Sequence, residues 1–148
     1  MPIPPFVLEL RKKIGHDLLL LPGLVAVVFD AQGRVLLHQR SDTAEWSLIS
    51  GMLEPDEQPI PAIEREVFEE TNVRARASQL IHTWTSPRFT YPNGDQAQYL
   101  TVAFRCEYVS GDPRVNDDES LAVRFFSLNE LPPLREDLQR CVELARML

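Results

Sequence analysis

Short apolar runs, rich in aliphatic residues, occupy the first third of the chain. They are separated by polar residues and by turn signals such as residues 31–33, Ala-Gln-Gly, which predict a hairpin. Before them, residues 6–14 follow a proline-rich start and end at Gly15, which predicts a short helix. The predicted strands of this part are residues 18–21, 23–30 and 34–40, and residues 46–52 lead from a polar loop at 41–45 into the next segment.

The second half of the chain alternates between apolar runs and turn signals, and ends on an amphipathic segment. Residues 92–95, Pro-Asn-Gly-Asp, predict a tight turn. Asn129 is predicted to cap a short turn, and residues 134–147 are predicted to form a final helix. The predicted strands are residues 73–85, 96–109 and 121–127, and the apolar stripe of the final helix is Leu134, Leu138, Val142 and Ala145.

Three glutamates between these halves form the most unusual pattern in the chain. Glu66, Glu69 and Glu70 are spaced i, i+3 and i+4, so a helix gathers them within an arc of roughly 100°. Like charges at this spacing destabilise a helix by about 0.2–0.5 kcal/mol per pair. Carboxylates gathered in this way suit a hard divalent cation such as Mg²⁺. The alternative is an acidic face that is simply solvated.

The residues around these glutamates resemble the signature of the Nudix hydrolases, G-x5-E-x7-R-E-U-x-E-E-x-G-U, where U is a bulky aliphatic residue. The matching residues are Gly51, Glu57, Arg65, Glu66, Val67, Glu69, Glu70 and Val73. The penultimate glycine is replaced by Asn72, and the common upstream P-G-G reads Ile49-Ser50-Gly51. Because Asn is the next best residue after Gly for a left-handed helix cap, Asn72 is expected to end the helix as the glycine would.

The residues inside the motif predict how its helix packs. Prolines near its start suit a first helical turn, because the N–H that proline lacks would have no partner there. Glu64 falls off the acidic face and is expected at the surface. The apolar stripe expected to face a sheet is Ile60, Ile63 and Val67.

The order of the elements predicts the fold class. Mixed strands with a central and a C-terminal helix favour an α/β layered sandwich, and the resemblance implies a Nudix-type α/β/α sandwich with a mixed sheet and a loop-helix-loop catalytic motif. With 148 residues, no repeat and no low-complexity tract, residues 1–148 are expected to form a single domain.

Composition and charge narrow the possible partners. A net charge of −7 argues against broad nucleic-acid binding and suits anionic substrates handled through metal ions. Cys106 and Cys141 lack zinc spacing and are expected to be free thiols. The start of the chain has no cationic signal segment, and the apolar run at 18–29 is too short to span a membrane. A cytoplasmic protein is expected, without membrane or nucleic-acid partners.

The resemblance implies a chemistry for the motif. It implies a hydrolase that cleaves the diphosphate linkage of a nucleoside diphosphate joined to another group, with Mg²⁺ as cofactor and Mn²⁺ as its substitute. Arg65 would pair with Glu57 and fix the motif loop. Glu119, in the acidic segment 116–120, is a candidate general base or extra metal ligand, against the alternative of a solvated turn. The implied metal ligands are Gly51, through its carbonyl, Glu66, Glu69 and Glu70.

Candidate substrate contacts come from residues outside the motif. Two arginines are candidates for binding a terminal phosphate, and three aromatic residues are candidates for stacking on a nucleobase. Trp84 is instead expected in the core. Pro87 lies where the family's ADP-ribose hydrolases have a proline, whereas Tyr91 lies where its dinucleoside polyphosphate hydrolases have a tyrosine, so the substrate stays open. The candidates are Arg40, Arg88, Trp46, Phe89 and Tyr91.

Two other functions compete with hydrolysis. One is a Nudix-like binding or sensing domain without turnover, although the charged motif positions are intact here. The other is an isoprenoid diphosphate isomerase on the same fold, which needs a catalytic cysteine in a supporting motif that neither cysteine has. A homodimer is also a possibility, with the apolar segment 6–21 as a candidate interface.

Overall fold

The computed structural model describes residues 3–148, and within that range it contains eight strands, three α-helices and one 3₁₀ turn. The first two residues of the chain start discussed above lie outside this range. The elements are α1 (Pro5–Ile14), β1 (Leu19–Phe29), β2 (Val35–Arg40), β3 (Trp46–Ser47), β4 (Ile49–Met52), α2 (Pro59–Thr71), β5 (Arg74–Thr85), β6 (Phe89–Thr90), β7 (Gln96–Ser110), β8 (Ser120–Phe126), the 3₁₀ turn (Leu128–Glu130) and α3 (Glu136–Ala145).

A mixed sheet organised on β1 forms the middle of the molecule. β1 runs parallel to β7 along its whole length, from Leu19 opposite Ala97 to Phe29 opposite Glu107. On its other side, β1 pairs antiparallel with β4 through residues 23–26 and with β2 at Phe29. The main path through the sheet is β3-β2-β1-β7-β5, with β8 on β2 and β6 on β7.

Alternate residues of β1 pack on opposite faces of the sheet, as the two-residue period of a strand requires. On one face, Leu24, Ala26 and Val28 share a core cluster with Ile63 and Val67 of α2. On the other face, Val25, Val27 and Phe29 share a cluster with Leu138 and Val142 of α3. This arrangement confirms the predicted α/β/α sandwich with a mixed sheet. Within residues 3–148, no helix is both long enough and apolar enough to cross a membrane.

Helix α1 lies at one end of the sheet and is attached by Arg11. Val7 of α1 packs with Leu21 and Met52 in a small third cluster. The Arg11 guanidinium donates to the carbonyls of Gly15, Asp17 and Gln96 at 3.1, 2.6 and 2.7 Å. These bonds join the end of α1 to the start of β7.

Several element boundaries differ from the predictions. The strands predicted at 18–21 and 23–30 are one strand, because the φ angle of Pro22 is compatible with extended backbone and the residue only removes a donor from the ladder. Residues 46–52 form two short strands, β3 and β4. The turn cap is the Ser127 hydroxyl, which accepts from the Asn129 N–H, so the cap predicted at Asn129 was wrong.

Helix α2 follows its predicted ends but not all of its predicted faces. Pro59 opens it, and Asn72 ends it in the left-handed conformation, with φ 64° and ψ 8°, as predicted. Ile60 is 46% exposed because it lies in the first turn, ahead of the sheet, which corrects its place in the predicted stripe. Glu64 is not a plain surface residue either, since its carboxylate accepts from the Ala77 N–H at 2.9 Å.

Candidate active site

Arg65 is the centre of an ion-pair network at the start of the site. Its guanidinium donates to Glu57 at 2.9 Å through Nη2, and to Glu66 and Glu69 at 3.3 and 3.1 Å through Nη1. The same Glu57 carboxylate accepts from the Glu54 N–H at 3.0 Å, which fixes the loop before α2. The predicted pairing of Glu57 with Arg65 is therefore confirmed.

The three motif glutamates occupy different environments. Glu66 and Glu70 are buried, with 8% and 2% of their surface exposed, whereas the side chain of Glu69 is 53% exposed and turns toward Arg65. Glu66 lies against Gly51: a Cβ on Gly51 would come within 2.4 Å of Glu66 Cγ. The absent side chain at position 51 thus leaves the space in which the Glu66 carboxylate lies.

Burial makes ionisation of both buried glutamates unfavourable. Desolvation raises the pKa of Glu66 from 4.5 to about 7; the charge of Glu69 adds to this rise, and Arg65 opposes it. Desolvation, followed by the charge of Glu66, also raises the pKa of Glu70 well above its usual range. Among residues 3–148, no group donates a hydrogen bond to Glu70 Oε2. A buried carboxylate oxygen of this kind is costly unless it binds a cation.

The acidic loop between β7 and β8 supplies two more carboxylates. Oxygens of Glu70, Asp117 and Glu119 lie within 4.8 Å of one another. The loop is held at its far end, where the Ser41 N–H donates to the Glu119 carbonyl at 2.9 Å. The sequence singled out Glu119 but not Asp117. Asp117 lies in a bend, where its carboxylate accepts from the Glu119 N–H at 3.1 Å, and no local pattern distinguishes it from the neighbouring acidic residues.

These residues fit a hard divalent cation. The grouped donors are carboxylate oxygens only, which are the ligands preferred by Mg²⁺ and Mn²⁺. The unpartnered Oε2 of Glu70 is a buried acceptor that a cation would satisfy. The structure brings Gly51 and Glu66 into contact beside this group, but it leaves Glu69 in its ion pair with Arg65, outside the cluster.

A cleft of about 1290 Å³ is lined by residues that include Gly51 and Arg40. Its lining includes residues of α1, of the turn that joins β6 to β7, of the segment around Trp46 and of the start of α3. Gly51 lines the cleft and lies against Glu66, so the cleft adjoins the motif helix through Gly51. Its lining residues also include Trp46, Ser50, Gly51, Trp84, Tyr99 and Thr101.

The predicted substrate contacts are only partly brought together. Arg40 lines the cleft, but its guanidinium is held by Asp42 through bonds of 2.9 and 2.7 Å. Trp46 also lines the cleft and packs edge-on against Phe126, with ring centroids 4.8 Å apart. Arg88 is exposed in the connection between β5 and β6 and is not among the described residues that line the cleft.

Three aromatic side chains, from β6, β7 and the turn between them, line the cleft. The hydroxyls of Tyr91 and Tyr99 lie 2.6 Å apart, and Phe89 lies beside Tyr99 with ring centroids 6.1 Å apart. Burial, followed by the bond to Tyr91, raises the pKa of Tyr99, so its hydroxyl stays protonated. Tyr99 was missed from the sequence, because it lies in a strand whose alternation gives no sign of a cleft.

Removing metal should make the folding stability fall as the pH rises. The pKa of Glu66 is raised from 4.5 to about 7, so the folded protein binds more protons than the unfolded chain between these values. The stability associated with its protonated form is present below pH 4.5 and is lost as the pH rises through about 7. Since one pKa unit corresponds to about 1.4 kcal/mol, the loss is roughly 3 kcal/mol.

Urea unfolding in EDTA at pH 5 and pH 8 measures this loss, with the Glu66→Gln variant as control. The variant lacks the titrating group, so its stability should change less between the two pH values than that of the wild type. Equal pH dependence in the two proteins would contradict the assignment to Glu66. Mg²⁺ should restore most of the stability of the wild type at pH 8.

Comparisons with known proteins agree with the geometry of this site. Residues 19–144 match the NUDIX domain family. A MutT-like protein of Streptomyces ambofaciens is 32% identical over 109 residues, which cover 74% of this chain and 65% of that protein. NAD-capped RNA hydrolase NudC of Pseudomonas putida is 29% identical over 116 residues, which cover 76% of this chain and 38% of that protein. The chain thus spans less than two thirds of the length of both relatives.

Solved structures match over most of this chain. A MutT NUDIX hydrolase from Burkholderia pseudomallei superposes with a TM-score of 0.71 at 25% identity, covering 85% of this chain and 98% of that one. An ADP-ribose pyrophosphatase from Streptococcus suis superposes with a TM-score of 0.64 at 26% identity, covering 85% of this chain and 92% of that one.

Proposed function

The chain belongs to the NUDIX family, and on this basis we propose that it is a Mg²⁺-dependent hydrolase of a nucleoside diphosphate linked to another group. The bond cleaved is the diphosphate linkage, and water is the second reactant. The observation that carries this proposal is the buried Oε2 of Glu70, which lacks a donor among residues 3–148 and lies in a group of three carboxylates. A cleft of about 1290 Å³ is lined by Gly51, against which Glu66 of the same helix lies.

The proposed metal ligands come from α2, β4 and the acidic loop. Bound Mg²⁺ would neutralise phosphate oxygens and lower the pKa of a coordinated water. The grouped carboxylates support this role for Glu70, Asp117 and Glu119, and the contact between Gly51 and Glu66 supports theirs. Glu69, which the motif also implies, would have to leave its ion pair with Arg65 to take part.

Arg65 and Glu57 hold the motif in place for this chemistry. Arg65 binds Glu57 of the preceding loop and Glu66 of its own helix, so it keeps the loop and the helix in one arrangement. Reactions at phosphorus depend mainly on positioning and charge stabilisation. Arg65 therefore contributes by fixing the orientation of the Glu66 carboxylate.

Glu119 is the proposed general base. Its carboxylate lies in the group with Glu70, at the end of the loop that faces the motif helix. In that position it could accept a proton from the attacking water, or it could serve as a further metal ligand. The Glu119→Gln variant tests whether Glu119 takes part in the reaction or is an acidic residue of a solvated turn. Loss of turnover supports the proposed role, and full turnover contradicts it.

The size of the cleft supports a substrate with two large groups. About 1290 Å³ exceeds the usual 300–1,000 Å³ of small-molecule sites. The relatives are named for ADP-ribose and NAD-capped RNA, in which adenosine diphosphate is joined to a second group. We therefore place ADP-linked diphosphates first among the candidates, with nucleotide sugars, dinucleoside polyphosphates and nucleoside triphosphates after them.

The proposed setting of this activity is the cytoplasm, with small nucleotides as partners. A homodimer remains part of the proposal, and exposed apolar residues of the N-terminal segment support it. These residues are Phe6, Leu8 and Leu20.

Product release from a panel of substrates tests the function. ADP-ribose, NAD-capped RNA, nucleotide sugars, dinucleoside polyphosphates and nucleoside triphosphates are each incubated with Mg²⁺ and with EDTA. We expect turnover with Mg²⁺ only, and fastest with an ADP-linked compound. No turnover on any compound, together with tight binding of one of them, would favour the sensing alternative over the hydrolase.

A further inference from the structure

We infer that Asn72 and Asn116 are positioning residues that fasten the acidic loop, residues 111–119, to the C-terminal end of α2. By holding this loop they keep its carboxylates beside Glu70. The inference rests on the proposed function, because it gives the loop a part in metal binding. It also gives a reason for the one fixed position at which the motif departs from its family.

Three hydrogen bonds join the loop to the end of the helix. The last carbonyls of a helix lack partners within the helix and must be satisfied from outside. Here the loop supplies such a partner to the Thr71 carbonyl and a second donor to the Phe68 carbonyl, and the helix cap donates to the loop in return. The bonds are Asn72 Nδ2 to the Asp112 carbonyl at 3.1 Å, the Arg114 N–H to the Thr71 carbonyl at 3.0 Å, and Asn116 Nδ2 to the Phe68 carbonyl at 3.1 Å.

The bond from Asn72 needs a side chain that the family's glycine lacks. The backbone of Asn72 is left-handed and its N–H donates to the Phe68 carbonyl at 2.9 Å, which is the capping role that glycine also performs. The Asn72 side chain adds the amide donor that reaches the Asp112 carbonyl. The substitution therefore keeps the helix end and adds a contact to the loop.

Gly111 shows how closely the loop approaches the helix end. Its φ of 98° is one that other residues rarely adopt, and a Cβ there would come within 2.2 Å of the Asn72 carbonyl oxygen. The backbone of the loop therefore lies directly on the cap residue. Asn72 meets the loop through its backbone at Gly111 and through its side chain at Asp112.

The acidic segment of the loop is held by a hydrogen bond on each side. Asn116 anchors one side of the acidic segment on α2, and the Ser41 N–H anchors the other at the Glu119 carbonyl. Between them lies Asp117, whose carboxylate also accepts from the Glu119 N–H at 3.1 Å. Since like charges at this spacing repel one another, the two anchors oppose the separation of the loop from Glu70 before metal binds.

Direct Mn²⁺ binding to the purified full chain tests the inference. Electron paramagnetic resonance of free Mn²⁺ gives the dissociation constant without relying on turnover. We expect Asn72→Gly and Asn116→Ala each to raise it about tenfold, the scale seen when residues that orient metal ligands are removed. Asn116→Gln, which keeps an amide donor, should recover part of the affinity, and Asn129→Ala, at an exposed asparagine away from the loop, should have no effect.

Two further readouts separate positioning from general destabilisation. Asn72→Gly keeps a residue suited to the left-handed cap, so its unfolding midpoint should stay close to that of the wild type. Hydrogen exchange of residues 111–119 should be faster in both variants, and turnover should recover at saturating Mn²⁺. Unchanged Mn²⁺ affinity in both variants, with a wild type that binds and hydrolyses, would overturn the inference alone. A wild type that neither binds Mn²⁺ nor hydrolyses would overturn the proposed function and the inference together.

Discussion

Replacing Glu70 with Gln is expected to lower metal-dependent turnover by about 10²–10³-fold without loss of folding stability. The substitution removes a charged metal ligand and retains the shape of the side chain. Metal ions contribute several kcal/mol to such reactions, and each 1.36 kcal/mol corresponds to a tenfold change in rate. Steady-state kinetics over a range of Mg²⁺ concentrations measure the loss, which should persist at saturating metal if Glu70 is a direct ligand.

The stability of the metal-free variant should equal or exceed that of the wild type above neutral pH. Glu70 is 2% exposed and its pKa is raised, first by burial and then by the charge of Glu66. Its ionisation therefore opposes folding when no cation is bound. A neutral amide avoids this cost, and urea unfolding in EDTA at pH 8 measures the difference.

Two other glutamates give matched controls for Glu70. The motif implies that Glu69 and Glu70 are both metal ligands. In the structure, however, Glu69 is exposed and paired with Arg65, whereas Glu70 faces the acidic loop, so Glu69→Gln tests which of the two is correct. The structure predicts the smaller loss for Glu69→Gln. Glu143→Gln changes an exposed residue of α3 and should be neutral in both assays. Full turnover in Glu70→Gln, or a clear drop in its metal-free stability, would contradict the proposed role.

The parts of the site that follow from local spacing could be predicted from the sequence. The approach of Arg65 to Glu57 and the left-handed cap at Asn72 both depend on residues within one loop-helix-loop segment. Their geometry is set by the helix period and by the conformational preferences of single residues. Neither depends on how distant strands pair.

The parts that depend on distant pairing could not be predicted in the same way. Asp117 reaches Glu70 because β7 and β8 place their connecting loop at the end of α2, and no local pattern reports that approach. Ile60 and Glu64 show the same limit. The exposure of Ile60 depends on where the sheet ends, and the hydrogen bond of Glu64 depends on the position of the Ala77 N–H in β5. Arg88 was a candidate phosphate ligand in the sequence, but it is not among the described residues that line the cleft. Whether a residue reaches the cleft depends on the tertiary fold, which the local sequence does not report.

Replacing Gly51 with Ala is expected to cost roughly 1–3 kcal/mol of folding stability and to lower turnover by at least tenfold. Position 51 lies in β4 with no positive φ, so the backbone accepts alanine. The obstacle is Glu66, whose Cγ would lie 2.4 Å from the new Cβ. A buried side chain can move little, and overpacking of this kind costs about 1–3 kcal/mol. Any movement also shifts the Glu66 carboxylate away from the place where metal would bind.

A double-mutant cycle separates this steric effect from other consequences of the change. In a Glu66→Ala background the obstructing atoms are gone, so Gly51→Ala should then cost little stability. Urea unfolding of the wild type, the two single variants and the double variant gives the coupling energy. An equal cost of Gly51→Ala in both backgrounds would show that contact with Glu66 is not why position 51 is glycine. A cost that disappears with Glu66 would give the motif glycine a physical reason: the Glu66 carboxylate lies in the space that a side chain at position 51 would occupy.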